Sequence, residues 1–124
     1  MFSTTDVFVA GLAFYARRRG LATRYDVEAI GDALADAERL AAGRELDEPA
    51  ALYHACSRRS RAFSGAAQQL VPFAARRHAA SLGLELSLDD LVLEILRARI
   101  LLSAITWDEL RAQFAEKLKP RPAP

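Results

Sequence analysis

Helix start and stop signals recur along this chain at intervals of about one helix length, and they constrain its fold more than any other feature. An N-cap side chain accepts a hydrogen bond from a free amide of the first turn, and a glycine past the last turn adopts the left-handed conformation that closes the helix. Ser3 with Asp6 predicts the start of a first helix that turns Val7, Phe8, Leu12 and Tyr15 inward and stops at Gly20. Asp26 opens a second, in which Val27, Ile30, Leu34, Ala37 and Ala41 make one apolar stripe before Gly43. Asp47, with Pro49 in the first turn, opens a third through Ala50, Leu52, Tyr53 and Cys56 that ends near Ser60.

Pro72 sets the next boundary. A helix begun at Gly65 would hold this proline in its interior, at a cost of about 3 kcal/mol or a kink, so the regular helix is expected to start near Val71 and run to Gly83. Ser87 and Asp90 predict a cap for a fifth helix, "LVLEILRARILL", which is apolar on most sides and is therefore expected to be the central, buried one. Thr106 and Glu109 have capping-box spacing ahead of a sixth helix that faces Trp107, Leu110, Phe114 and Leu118 to the core. Residues 1–118 read as one all-α domain of six helices, and residues 119–124, "KPRPAP", as an extended or disordered tail. At most one short hairpin is expected, with Gly43 to Glu48 its best place.

A chain of 124 residues has room for one domain, and its apolar share of 52% leans on Ala and Leu, as packed helices do. The single cysteine, Cys56, has no partner for an internal disulfide and reads as a small core residue, although nearby arginines would lower a thiol pKa. No cysteine and histidine set has metal-site spacing. There is neither a basic leader ahead of an apolar run nor a window of about 18 apolar residues, so a reducing cytoplasm is the expected setting. With a net charge of +1, nucleic-acid binding would need a local patch. The arginine groups that could build one are Arg17 to Arg19, Arg58 to Arg61, Arg76 with Arg77, and Arg97 with Arg99, followed by Lys117, Lys119 and Arg121.

Read from Arg61 to Leu84, "RAFSGAAQQLVPFAARRHAASLGL" resembles the core motif of the Fic/Doc family, a pattern close to H-P-F-x-D-G-N-K-R followed by a long helix and "NGL". The likeness extends outward. "AIGDALADAERLAAGRELDEPAALYHA" resembles the paired helices before that motif, and "SLDDLVLEILRARILLSAITWDELRAQF" the last two helices, in the order of the small Doc-toxin-like branch. The resemblance implies a Fic/Doc (Fido) type of fold over residues 1–118, in a family whose usual activity is transfer of AMP or phosphate to a protein hydroxyl.

The working residues of that motif are replaced. Arg61 stands where the family has its general-base histidine, and a guanidinium that stays protonated accepts no proton. Gly65 stands for the acidic metal-holding residue, Ala66 for the glycine of the anion-binding turn, Ala67 for the asparagine, and Gln68 and Gln69 for the basic phosphate clamp. Phe63, the anchor of the loop, is kept. The resemblance therefore implies a degenerate toxin–antitoxin-type module or pseudoenzyme with no catalytic residue, metal or cofactor, acting by protein binding. Its partner, an antitoxin-like or target protein, is expected at the Gly43 to Asp47 connector and the Arg58 to Gln69 loop, near Arg58, Arg59, Arg61 and Phe63.

Two other readings stand beside this one. An active transferase would need a substitute base, for which His54 and a solvent-facing His78 are the candidates, with Arg58, Arg59 and Arg61 gripping the phosphates of ATP and Mg²⁺. A nucleic-acid surface would need the arginine groups to converge on one face.

Overall fold

The computed structural model of the chain describes residues 2–59, 63–64 and 68–122. In order these form α1 (Thr5–Arg18), β1 (Arg24–Tyr25), α2 (Val27–Ala41), a 3-10 turn (Glu45–Asp47), α3 (Glu48–Arg58), β2 (Phe63–Ser64), α4 (Leu70–Ser81), β3 (Leu84–Leu86), α5 (Asp90–Leu101), α6 (Trp107–Lys117) and β4 (Leu118–Pro120). The helical class and six-helix order expected from the capping signals are present.

Caps decide the boundaries to within a residue or two. Asp26 accepts from the Ala29 amide at 3.0 Å, and Thr106 and Glu109 exchange both bonds of a capping box at 3.1 Å. Two expected caps move. Thr4 rather than Ser3 caps α1, and Asp89 rather than Ser87 with Asp90 caps α5, accepting from the Val92 amide at 2.8 Å. In both places several short polar residues adjoin, and only the one with extended backbone directly ahead of the first helical residue can turn its oxygen back. Pro72 is the third residue of α4, within the first turn, and Gly83 at φ +76° closes that helix.

Strand pairing is where the sequence reading needs correction. Gly43 to Glu48 makes no hairpin: the 3-10 turn leads directly into α3, and Asp47, with helical backbone, pairs with Arg44 at 2.9 Å instead of capping. β1 pairs antiparallel with β2, so that Tyr25 faces Phe63, and β3 pairs antiparallel with β4, so that Leu86 faces Leu118. Both pairings join segments far apart in sequence, which no local turn signal announces. The second also binds the start of the tail, where Arg121 donates to the Gly83 carbonyl at 3.0 Å.

α3 is the central helix, and α5 is not. Nine of the eleven residues of α3 are buried, and α2, α4, α5 and α6 all pack against it. Its alanines at 50, 51 and 55 let neighbours approach from every side. α5 fully buries only Leu93, Leu96 and Ile100, packs Val92 partly against the core, and turns Leu91, Ile95, Ala98 and Leu101 outward. Val7 and Val27, expected inside, are also exposed, because each lies in a first turn at the margin of its helix's buried stripe.

Candidate functional site

Arginines from three helices meet at one cleft of about 640 Å³: Arg19 just past α1, Arg76 on α4 and Arg97 on α5. Arg19 follows Arg17 and Arg18 at the negative end of α1, where cations suit the helix dipole. Arg76 lies one turn beyond Pro72 and shares its face of α4. It donates to the Leu88 carbonyl at 3.0 Å and pairs with Asp90 at 2.7 Å, which holds its guanidinium in place. The Nε of Arg97 is shielded from solvent and has no hydrogen-bond partner among the described residues.

The remaining walls are aromatic, amide and acidic, the last from Asp90, which pairs with Arg76, and Glu94 on α5. Tyr15 stacks on Phe73 with ring centroids 3.5 Å apart, and the Arg19 guanidinium lies 5.0 Å from the Tyr15 ring. Gln68 and Gln69 line the cleft where the chain enters α4. Tyr53 closes the floor with its hydroxyl donating to the Leu93 carbonyl, and burial pushes that hydroxyl's pKa up, so it stays protonated.

The basic surface continues around α1. A second depression of about 620 Å³ shares Tyr15, Arg19 and Phe73 with the first and adds Gly11, Phe14, Arg18 and Arg77. Arg18 lies 5.7 Å from the Phe14 ring, and the Arg77 guanidinium crosses α1 at Gly11, where a Cβ would fall 1.5 Å from its Nη1. Arg18, Arg19, Arg76, Arg77 and Arg97 thus share one face.

No family model, curated protein or solved structure matches this chain. Its chemistry is therefore argued from the side chains.

The residues singled out by sequence are distributed differently. Arg58 and Arg59 lie apart from this face, in a depression of about 570 Å³ rich in carboxylates. Arg59 donates through Nε at 2.9 Å and Nη2 at 2.7 Å to Asp36, with Asp32 at 3.9 Å, and Arg58 reaches Ser103 at 3.3 Å. Phe63 is buried to 1% exposure against the core, as an anchor should be. Arg61, Gly65, Ala66 and Ala67 lie outside the described residues.

Both candidate bases are engaged elsewhere. His54 is half-buried with its ring edge-on to Trp107, and burial, then the charge of Arg58, lowers its pKa. His78 does not face solvent as expected: its side chain is 12% exposed, its Nε2 lies 2.8 Å from Glu48, and Phe2 covers its ring at 4.6 Å. The outward face of α4 is taken instead by Arg77, while Phe73 turns to Tyr15. Cys56 is buried, and burial pushes its thiol up to about 12, which leaves it a core residue.

The cleft offers guanidinium and amide donors to an anion. Three guanidinium groups stand there against the two carboxylates Asp90 and Glu94, an excess of one positive charge, and guanidinium pairs with phosphate or carboxylate oxygens. Sequence reasoning named these arginine groups and missed their convergence. The one local hint was the four-residue step from Pro72 to Arg76, which sets an arginine on the face that carries Gln68 and Gln69 into the helix.

Proposed function

We propose that this chain is a binding protein on a Fic/Doc-type helical frame, which holds an acidic or phosphorylated segment of a partner protein in the arginine-lined cleft and does not transfer AMP or phosphate. The observation that carries this reading is the meeting of Arg19, Arg76 and Arg97 around Gln68 and Gln69. By the resemblance, those glutamines occupy the positions of the phosphate clamp, and arginines from α1, α4 and α5, which outnumber Asp90 and Glu94 around them, supply positive charge in place of the clamp. Guanidinium groups keep their charge and pair with carboxylate or phosphate oxygens in a fork geometry. Transfer to a hydroxyl needs in addition a group that takes the proton, and the histidines supply none there: His54 lies against Trp107, and His78 is held by Glu48.

The test is fluorescence anisotropy with a labelled glutamate-rich peptide and its phosphoserine counterpart at low salt. Roughly micromolar binding is expected, weakened about tenfold or more in Arg76→Ala with Arg97→Ala. Transfer of label from ATP and Mg²⁺ to any protein would overturn the reading.

A nucleic-acid ligand is a second reading, supported by the continuation of the basic face through Arg18 and Arg77 around Phe14, which is 60% exposed. Phosphates on arginines with bases stacked on aromatic rings is the usual chemistry of single-strand binding. Retention on heparin that falls in Arg18→Ala with Arg77→Ala, together with binding of a single-stranded oligonucleotide in preference to the acidic peptide, would favour it.

A further inference from the structure

The outer face of α5 carries Leu91 at 67% exposure, Ile95 at 46% and Leu102, its C-cap residue, at 77%, with Ala98 exposed between them. Their steps of four, three and four residues are those of a seam between packed helices. Ordinary surface helices place charged or polar residues on this face.

The seam reads the same in both directions about its midpoint. A second α5 laid antiparallel sets Leu91 against Leu102 and Ile95 against Ala98, with a bulky side chain opposite a small one at the centre. Charge selects the same arrangement. Glu94 and Arg99 flank the seam on its two sides, and antiparallel pairing about the same midpoint sets Glu94 against Arg99 of the second copy, whereas Asp90 and Arg97 turn to the cleft. An antiparallel copy brings opposite charges together and opposes the helix dipoles, whereas a parallel copy stacks like on like.

We infer that a second copy of this chain docks on α5, antiparallel and about a two-fold axis. A two-fold interface uses one patch twice, which is the self-complementarity that Leu91, Ile95, Ala98 and Leu102 have. The inference rests on α5 alone and is independent of what the cleft binds.

Sedimentation equilibrium of the full chain from about 1 to about 500 µM should show the mass rising from one chain to two, since a small interface of this kind gives roughly micromolar association. Leu91→Glu and Ile95→Glu should each return a single-chain mass at every concentration, with an unchanged circular dichroism spectrum, because both residues are exposed. Mild oxidation of an equal mixture of the Leu91→Cys and Leu102→Cys variants should yield the mixed disulfide well beyond the twofold excess over either homodisulfide that random pairing gives. A single-chain mass throughout, a dimer that survives both glutamate substitutions, or preferential homodisulfides would overturn the inference. So would a chain that stays single while Leu91→Glu abolishes capture of a different protein, since the face would then belong to that partner.

Discussion

Ser57 lies on α3 with its side chain fully buried and its hydroxyl without a hydrogen-bond partner among the described residues. Desolvating a hydroxyl without compensation costs free energy, and alanine at this position keeps the small volume that lets α3 sit among its neighbours. Ser57→Ala should therefore stabilise the protein by about 0.5–1 kcal/mol in chemical denaturation; a loss of similar size would mean that the hydroxyl is satisfied in solution. Glu48, on the same helix, makes the opposite case. Burial pushes its carboxyl up, but hydrogen bonding and the charge of His78, among its partners, more than offset this and hold the pKa below its ordinary 4.5. Because the native value lies below the unfolded one, the carboxylate contributes stability above the unfolded pKa, and that contribution is lost as pH falls through the native value. Melting temperature should fall with pH below about 4.5 in the natural chain, and the slope should be shallower in Glu48→Gln. Equal slopes would assign the acid sensitivity to other carboxylates.

At the scale of elements, the caps Asp26 and Thr106, with Pro72 and Gly83, were legible because each acts within a few residues of itself, whereas for α1, α3 and α5 only the neighbourhood of the start was. The identity of the central helix was not. Apolar content ranks α5 above α3, yet α3 is buried, since close approach from all sides depends on small residues such as Ala50, Ala51 and Ala55 and not on hydrophobicity. Strand pairs were also out of reach, because whole helices separate β1 from β2 and β3 from β4 in sequence, and no local signal marks their pairing. The pairing of β4 bears on the end of the chain, which composition alone assigns to a free tail. Leu118 packs against the core and aligns with Leu86, and Ser87 donates to the Lys117 carbonyl at 2.7 Å. A chain ended at Lys117 should lose about 2 kcal/mol of stability through the half-buried leucine and the lost ladder, read as a lower denaturant midpoint. An unchanged midpoint would mean that the tail is free in solution.

At the scale of the molecule, a net charge of +1 conceals a division. Arg18, Arg19, Arg76, Arg77 and Arg97 line two adjoining depressions and outnumber Asp90 and Glu94 there, while Asp26, Glu28, Asp32 and Asp36 surround Arg58 and Arg59 in another. The sequence lists these groups, but their convergence follows from how α1, α4 and α5 pack, so the candidate site was legible as components and not as a place. If α5 also joins two copies, the assembly carries two clefts at a fixed separation. A ligand with two acidic segments on a flexible linker would then bind the second cleft at the effective concentration that the linker sets, and its affinity should exceed that of one segment by about 100-fold or more once the linker spans the gap. The Leu91→Glu variant should lose this advantage and keep the single-segment affinity, because Leu91 does not line the cleft. Titration of both ligands against both proteins separates the two proposals. Loss of single-segment binding everywhere would count against the cleft, whereas equal affinities for one and two segments in the natural chain would count against the dimer.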